Sequence, residues 1–271
     1  MTIKHVAIKD FQVFKDEFVV EFYSGVNVLI GANATGKTTL IKWLYFNKKD
    51  KSNNFVFIPE KDILEHSKGL FTFIEKKQTG FGQIYKDVLI NAQDTPTIEQ
   101  SKIQKTICKI IADTIDGEVH YDKGEGTFYT LKTGGKRIPF ANEASGYKKL
   151  GFLGLLVTSG QLENGSVLFW DEPENSLNPE LVPVLVDILL QLSQSGVQIF
   201  IATHDYNFAR YFDVKKNGDV MFYNLAKEND GRITVCSSPE YTKLSENLLE
   251  TAGVDLYKAV VKYAMEVDDD E

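Results

Sequence analysis

The 271-residue sequence predicts an α/β fold with a mostly parallel core sheet. Three observations lead there. Val26–Asn27–Val28–Leu29–Ile30 is nearly all apolar, as a strand covered on both faces must be, and a glycine-framed loop and a helical stretch follow it. From Glu143 onward helix and strand alternate, with Val167–Trp170 and Val197–Ala202 as the strands; that order belongs to parallel sheets with right-handed crossovers. The first of these strands ends in two adjacent carboxylates, at the strand end where open α/β sheets bind ligands.

The elements follow in order. Ile3–Ile8 and Phe18–Phe22 alternate like half-buried antiparallel strands, with a turn expected around Lys15–Asp16. Gly31 to Gly36 forms a loop and Lys37 opens a helix reaching about Tyr45. Phe55–Ile58 is a short strand ended by Pro59, and residues 61–92 look mainly helical with breaks at Gly69, Gly80 and Gly82. Thr95–Pro96 reads as a cap followed by a first-turn proline. The helix it would open carries Ile103, Ile107, Ile110, Ile111 and Ile115 at helical spacing and ends at Gly117. Glu118–Tyr121, Thr127–Leu131 and Lys136–Phe140 read as short strands with glycine turns. Val220–Asn224 and Arg232–Ser237 form a closing hairpin, and a helix covers about Ser245–Ala264.

Composition bounds the function. Hydrophobic residues make up 43% and charged residues 25%, the ordinary globular range. No apolar run approaches the roughly 18 residues of a membrane span. The opening MTIKHVAIKDF lacks the pattern of a secretory signal. Cys108 and Cys236 have no disulfide or metal-ligand pattern and read as packed thiols in a reducing cytoplasm. A net charge of −8 argues against sequence-blind binding to nucleic acid over the whole surface. The run Glu266–Glu271 reads as a solvated end.

Four motifs carry chemistry. Gly31–Ala32–Asn33–Ala34–Thr35–Gly36–Lys37–Thr38 matches G-x-x-x-x-G-K-[ST], between a buried strand and a helix, and Thr39 continues it. Glycines let main-chain N–H groups face phosphate oxygens, and the helix start adds positive potential. Lys37 would bridge the β- and γ-phosphates of ATP, and the Thr38 hydroxyl would join a Mg²⁺ shell. In Val167–Pro173, Asp171 would hold Mg²⁺ through water and Glu172 would polarise the attacking water as general base. Ile199–Asp205 places His204 at the end of a neighbouring strand, where it could bond the γ-phosphate; Asp205 would cap the next helix. Asn142–Leu150 opens a helix with Ser145–Gly146, whose free N–H groups and hydroxyl make a second anion site. That site makes sense against a phosphate held by another protomer.

The order of these motifs resembles the ABC ATPase superfamily, a P-loop NTPase fold. Asn175–Pro179 looks like its D-loop. Ile3–Asp10, Phe11, Phe14 and Asn27–Ile30 resemble its soluble branch, with the structural-maintenance-of-chromosomes, repair and overcoming-lysogenization-defect ATPases. Phe57–Leu64 resembles a segment of small bacterial AAA-labelled members of that group. The likeness covers roughly residues 1–65 and 140–210. It implies one ATPase domain over 1–271, with an N-terminal antiparallel β subdomain and a helical and hairpin insertion at 66–135. It also implies a homodimer that sandwiches two ATP molecules between the Lys37 loop of one copy and Ser145–Gly146 of the other. Three features depart from the family. The signature reads Ala-Ser-Gly-Tyr-Lys-Lys. No Q-loop glutamine stands out: Gln78, Gln83 and Gln93 fit poorly, and Glu60 occupies that region. The 106 residues between Thr38 and Ser145 leave no room for a long coiled-coil arm.

Three functions remain open on these grounds. The first is a soluble ATPase switching a separate effector, a nuclease or similar protein, in anti-phage defence or DNA maintenance. The second is an ATPase acting directly on DNA or RNA through Lys48, Lys49, Lys51, Lys76, Lys77, Lys148 and Lys149. The third is a transporter ATPase subunit, which would need a coupling surface and a Q-loop.

Overall fold

The structure, a computed structural model, describes residues 2–48, 54–61, 64, 83–93 and 99–268. Its centre is a six-stranded sheet built from β3 (Val26–Ile30), β4 (Phe55–Ile58), β8 (Val167–Asp171), β9 (Gln198–Ala202), β10 (Val220–Lys227) and β11 (Ile233–Ser238), in the order β11-β10-β3-β9-β8-β4. Every pairing in it is parallel except β10 with β11. The strands β3, β4, β8 and β9 are buried along their whole length, which is why they read as unbroken apolar runs. Two polar residues inside them are fully engaged. Asn27 bonds the carbonyls of Tyr23, Gly25 and Ile199 and accepts from the Tyr23 amide. Gln198 ties Ile3 and Tyr23 to the sheet. Buried polar groups persist where they are bonded in this way.

An antiparallel pair, β1 (His5–Phe11) and β2 (Phe14–Glu21), precedes the sheet. The expected turn at Lys15–Asp16 is replaced by one at Gln12–Val13. Left-handed backbone at Asp10 and Gln12 and a register shift between Lys9 and Phe11 turn the chain early, so that Phe14 can be buried. A second antiparallel unit holds β5 (Gly117–Asp122), β6 (Thr127–Lys132) and β7 (Arg137–Pro139), close to the expected strands.

The helices are α1 (Lys37–Lys48), α2 (Gln83–Gln93), α3 (Lys102–Ile115), α4 (Ser145–Thr158), α5 (Val182–Gln194), α6 (Tyr206–Lys215) and α7 (Leu248–Asp268). Only α2 of the helical expectation over 61–92 falls among described residues apart from its edges. The helix expected to open at Thr95–Pro96 starts later: residues 94–98 lie outside the described set, and Ser101 caps Lys102–Ile115. The Ser101 Oγ accepts from the Gln104 amide while the Gln104 side chain accepts from the Ser101 amide. This reciprocal pair satisfies two free donors and outweighs the proline signal upstream. The final helix starts at Leu248, because Asn224 engages the Ser245 and Glu246 carbonyls and Asn247 accepts from the Glu250 amide. Beyond its first turns α7 leaves Leu256, Tyr257, Val260 and Tyr263 exposed. One hydrophobic cluster runs from Ile3 to Leu244 and includes Ile107, Ile111, Val119 and Phe128. No helix among the described residues is long and apolar enough to cross a membrane.

Candidate nucleotide site

The register of the core sheet levels three strand ends. Asp171 lies opposite Ala202, and Ala202 lies opposite Leu29. The chain therefore leaves β3, β8 and β9 at one edge, carrying the Gly31 loop, Glu172 and Thr203–His204 to the same place. This is the carboxyl edge of a parallel sheet, where α/β folds bind ligands.

From β3 the chain enters residues 31–36 and turns directly into α1. Gly31, Thr35, Gly36 and Lys37 are buried, while Ala32, Asn33 and Ala34 stand exposed at the rim. Gly36 has φ +94, and a Cβ there would sit 2.7 Å from Val13 Cγ2, so only glycine fits between the loop and the β1–β2 turn. Ala34 adopts left-handed backbone in the same loop. The Thr35 hydroxyl closes the loop onto the Ala32 carbonyl at 2.9 Å. Lys37 Nζ donates to the carbonyls of Gly31 and Ala32 at 2.8 and 3.0 Å. No acidic residue stands in the first turn of α1, so its positive end is free of opposing charge.

Thr38 Oγ1 donates to Asp171 Oδ1 at 2.8 Å. This pair offers two hard oxygen groups, the donor type Mg²⁺ takes when it keeps waters and phosphate oxygens as its other ligands. Among the described residues no cluster of three His, Cys, Asp or Glu groups forms an all-protein metal site. The electrostatics suit a metal–phosphate occupant. Burial holds the Lys37 ammonium below the usual lysine range, against the pull of Glu172, Asp171 and Glu174. Burial also raises the Asp171 carboxyl, opposed by the Thr38 hydrogen bond and Lys42. An anion at Lys37 and a cation at Asp171 would reverse both costs.

Glu172 occupies left-handed backbone, φ +49, as the chain turns off β8. Its amide still donates to the Ala202 carbonyl at 2.8 Å. Its Oε1 lies 2.9 Å from His204 Nδ1, and the imidazole is half exposed. The next residues extend the contact. Thr203 Oγ1 donates to Glu174 Oε1. Burial pushes the Glu174 carboxyl up to about 7 despite that bond. Asp205 caps α6 through the Phe208 amide at 2.6 Å, as its position suggested.

Lys37, Thr38, Asp171, Glu172 and His204 are thus brought together, and Thr39 follows on α1. Ser145 and Gly146 lie elsewhere on the same chain. Ser145 is exposed at the start of α4, and Gly146 packs where a Cβ would stand 2.9 Å from Leu181 and 3.1 Å from Leu177. The Ser145 turn therefore rests on the loop that follows Glu172. Lys149 strengthens that seat, donating to the Glu172 and Pro173 carbonyls at 3.2 and 3.1 Å. Glu60 does reach the site region: its Oε1 accepts from Asn175 Nδ2 at 2.9 Å. Of the lysines considered for a nucleic-acid patch, three are described. Lys148 is buried, Lys149 is engaged on the Glu172 turn, Lys48 lies over Trp43, and Lys49, Lys51, Lys76 and Lys77 are outside the described residues. Cys108 and Cys236 are free thiols, with burial pushing Cys108 up to about 11.

Sequence reasoning assigned no role to Glu174 or Thr203, and considered Lys149 only for a nucleic-acid patch. Glu174 stands two residues beyond Glu172, and Thr203 immediately precedes His204, so adjacency to named residues was the available signal.

Comparison with known proteins agrees with this geometry. The family model described as "AAA domain, putative AbiEii toxin, Type IV TA system" matches residues 72–210, just over half of the chain, and one described as "AAA ATPase domain" matches residues 1–77. The chain is 22% identical over 203 residues to the glutamine transport ATP-binding protein GlnQ of Geobacillus stearothermophilus, covering 74% of this chain and 78% of that one. It is 23% identical over 196 residues to the octopine permease ATP-binding protein P of Rhizobium radiobacter, covering 67% and 69%. Among solved structures, the SMC head domain from Thermotoga maritima superposes with a TM-score of 0.52 at 13% identity, covering 88% of this chain and 99% of that chain. The Smc head domain with an extended coiled coil, bound to the C-terminal domain of ScpA from Pyrococcus furiosus, gives 0.55 at 12%, covering 95% and 99%. At such identities the likeness shows the fold.

Proposed function

The chain belongs to this AAA-domain family and is an ATPase with the ABC-type P-loop fold, and from that premise we propose that it is an ATP-driven switch. Two copies would close head to tail around ATP and control a separate effector, a nuclease or similar protein. The observation that carries this reading is the convergence of Lys37, Thr38, Asp171, Glu172 and His204 at level strand ends.

The residues divide the work. The amides of residues 31–38 and the Lys37 ammonium hold the triphosphate. Thr38 and Asp171 would hold Mg²⁺, which neutralises charge on the β- and γ-phosphates. Glu172 accepts the proton of the attacking water, and its hydrogen bond with His204 aims the carboxylate. His204 also stands where a γ-phosphate can be felt. Ser145, exposed at the positive end of α4, offers its hydroxyl and free amides to the triphosphate of the second copy. ATP then joins the dimer and hydrolysis releases it, across an interface that is symmetric by construction.

Support for the setting is chemical and familial. The toxin–antitoxin description of the matching family fits bacterial anti-phage defence, with DNA maintenance the related alternative. Light scattering of Glu172→Gln with ATP and Mg²⁺ tests the switch. The expected result is a stable dimer that reverts to monomer without nucleotide. A monomer under saturating ATP would remove the clamp from the account.

A further inference from the structure

Glu172 carries out its proposed chemistry from an unfavourable backbone conformation. A non-glycine residue at φ +49 is strained and persists only where its surroundings impose it. Two main-chain bonds act on that turn: the Glu172 amide to Ala202, and the Asn175 amide back to the Glu172 carbonyl at 3.1 Å. Lys149 Nζ holds the Glu172 and Pro173 carbonyls from α4, and the Leu177 amide donates to the Glu174 carbonyl. Beyond Glu172 itself, the side-chain bond from Thr203 Oγ1 to Glu174 Oε1 ties the turn to the end of β9.

Thr203 is itself fixed on three sides. Its amide donates to the Leu29 carbonyl at 3.0 Å, one strand over and two residues before Gly31. Its Oγ1 accepts from the Asp205 amide at 3.0 Å, and Asp205 caps α6. The residue is fully buried. Glu174 is partly exposed as a residue, yet its Oε2 is buried and has no hydrogen-bond partner among the described residues. A carboxyl held this way, with one oxygen unsatisfied, is costly to keep.

We propose that Glu174 is a positioning residue for ATP hydrolysis. Its bond from Thr203 clamps the β8 turn to the end of β9 and so fixes the distance between Glu172 and His204. The clamp also runs through Leu29 to the strand that delivers the Gly31 loop, so the base and the phosphate loop share one rigid frame. Preorganisation of this kind affects the chemical step more than ground-state binding.

The test compares Thr203→Val, Glu174→Ala and Glu174→Gln in the full chain, using phosphate release with ATP and Mg²⁺. Thr203→Val and Glu174→Ala are expected to lower kcat at least tenfold with the KM for ATP unchanged within about twofold. Glu174→Gln keeps an oxygen that accepts from Thr203 and is expected to restore kcat to within about threefold of wild type. Thr203→Val is nearly isosteric and serves should Glu174→Ala fail to fold; it removes the hydroxyl that donates to Glu174 and accepts from the Asp205 amide, and Glu174→Ala, which leaves the Asp205 contact in place, tells the two bonds apart. Unchanged kcat in Thr203→Val overturns the proposal, as does a KM that rises in step with the loss. A Glu174→Gln variant as slow as Glu174→Ala overturns it too, since charge and not positioning would then be required. The proposal rests on the ATPase reading of the site. Turnover in the wild type that Lys37→Ala abolishes upholds that reading whatever Thr203→Val does.

Discussion

Glu174 is the residue whose charge depends most visibly on the fold. Burial takes its carboxyl from an ordinary 4.5 to about 7. Between those values the folded protein keeps a proton that the unfolded chain has released. Stability from this group is therefore full below about pH 4.5, falls as pH rises, and is lost above about 7. The loss is at most about 3 kcal/mol. Urea unfolding at pH 5 and pH 8 should show wild type losing roughly 2 kcal/mol more than Glu174→Gln across that interval. Equal losses would mean that the carboxyl titrates normally. The residues that face it are Lys37, His204 and Asp205. At this scale the sequence was legible where phosphate chemistry dictates consecutive letters. Gly31–Thr38 and Asp171–Glu172 are spelled by local requirements, so their convergence could be expected before any coordinates. Glu174 and Thr203 meet across 29 positions of chain, and nothing in either local stretch announces the pair. Lys148 and Lys149 are adjacent basic letters that left a patch open among the alternatives; in the fold one side chain is buried and the other donates to carbonyls.

At the scale of elements, the parallel strands were the most legible because burial on both faces leaves one kind of residue. β3, β8 and β9 fall within a residue of their expected bounds. Ends of elements were less so, since side-chain bonds decide them. The start of α3 illustrates this. Thr95–Pro96 had the right residue types, but Ser101 and Gln104 bond reciprocally and set the boundary. Ser101→Ala should lower stability by about 1 kcal/mol in chemical denaturation, with ATP turnover unchanged; no change in stability would move the boundary back upstream. The β1–β2 turn was misplaced for a related reason. Left-handed backbone at Gln12 carries no glycine to mark it. Its place matters, because Val13 and Phe14 form the wall against Gly36. Gly36→Ala would force a Cβ to within 2.7 Å of Val13 Cγ2 at a φ of +94 and should cost more than about 1 kcal/mol. Nucleotide binding should fall with it; a variant of wild-type stability and affinity would contradict the wall.

At the scale of the whole molecule, the arrangement makes sense of a paradox in the layout. Ser145 is exposed at the start of α4, yet its turn is seated on the segment that follows Glu172 through Gly146 and Lys149. In the proposed dimer a second copy would supply the phosphate, and the seat would connect what that copy holds to this copy's base. The sequence showed the motif and its distance along the chain, while the seating on Leu177 and Leu181 needed the fold. The family likeness and the SMC-head fold agree with an ATPase of this fold. The claim beneath all of this is that the Lys37 loop seats the triphosphate that Glu172 helps to cleave. Phosphate release from purified protein with saturating ATP and Mg²⁺ tests it most directly. The account predicts steady turnover by wild type and background release by Lys37→Ala. Turnover by Lys37→Ala at the wild-type rate would contradict it.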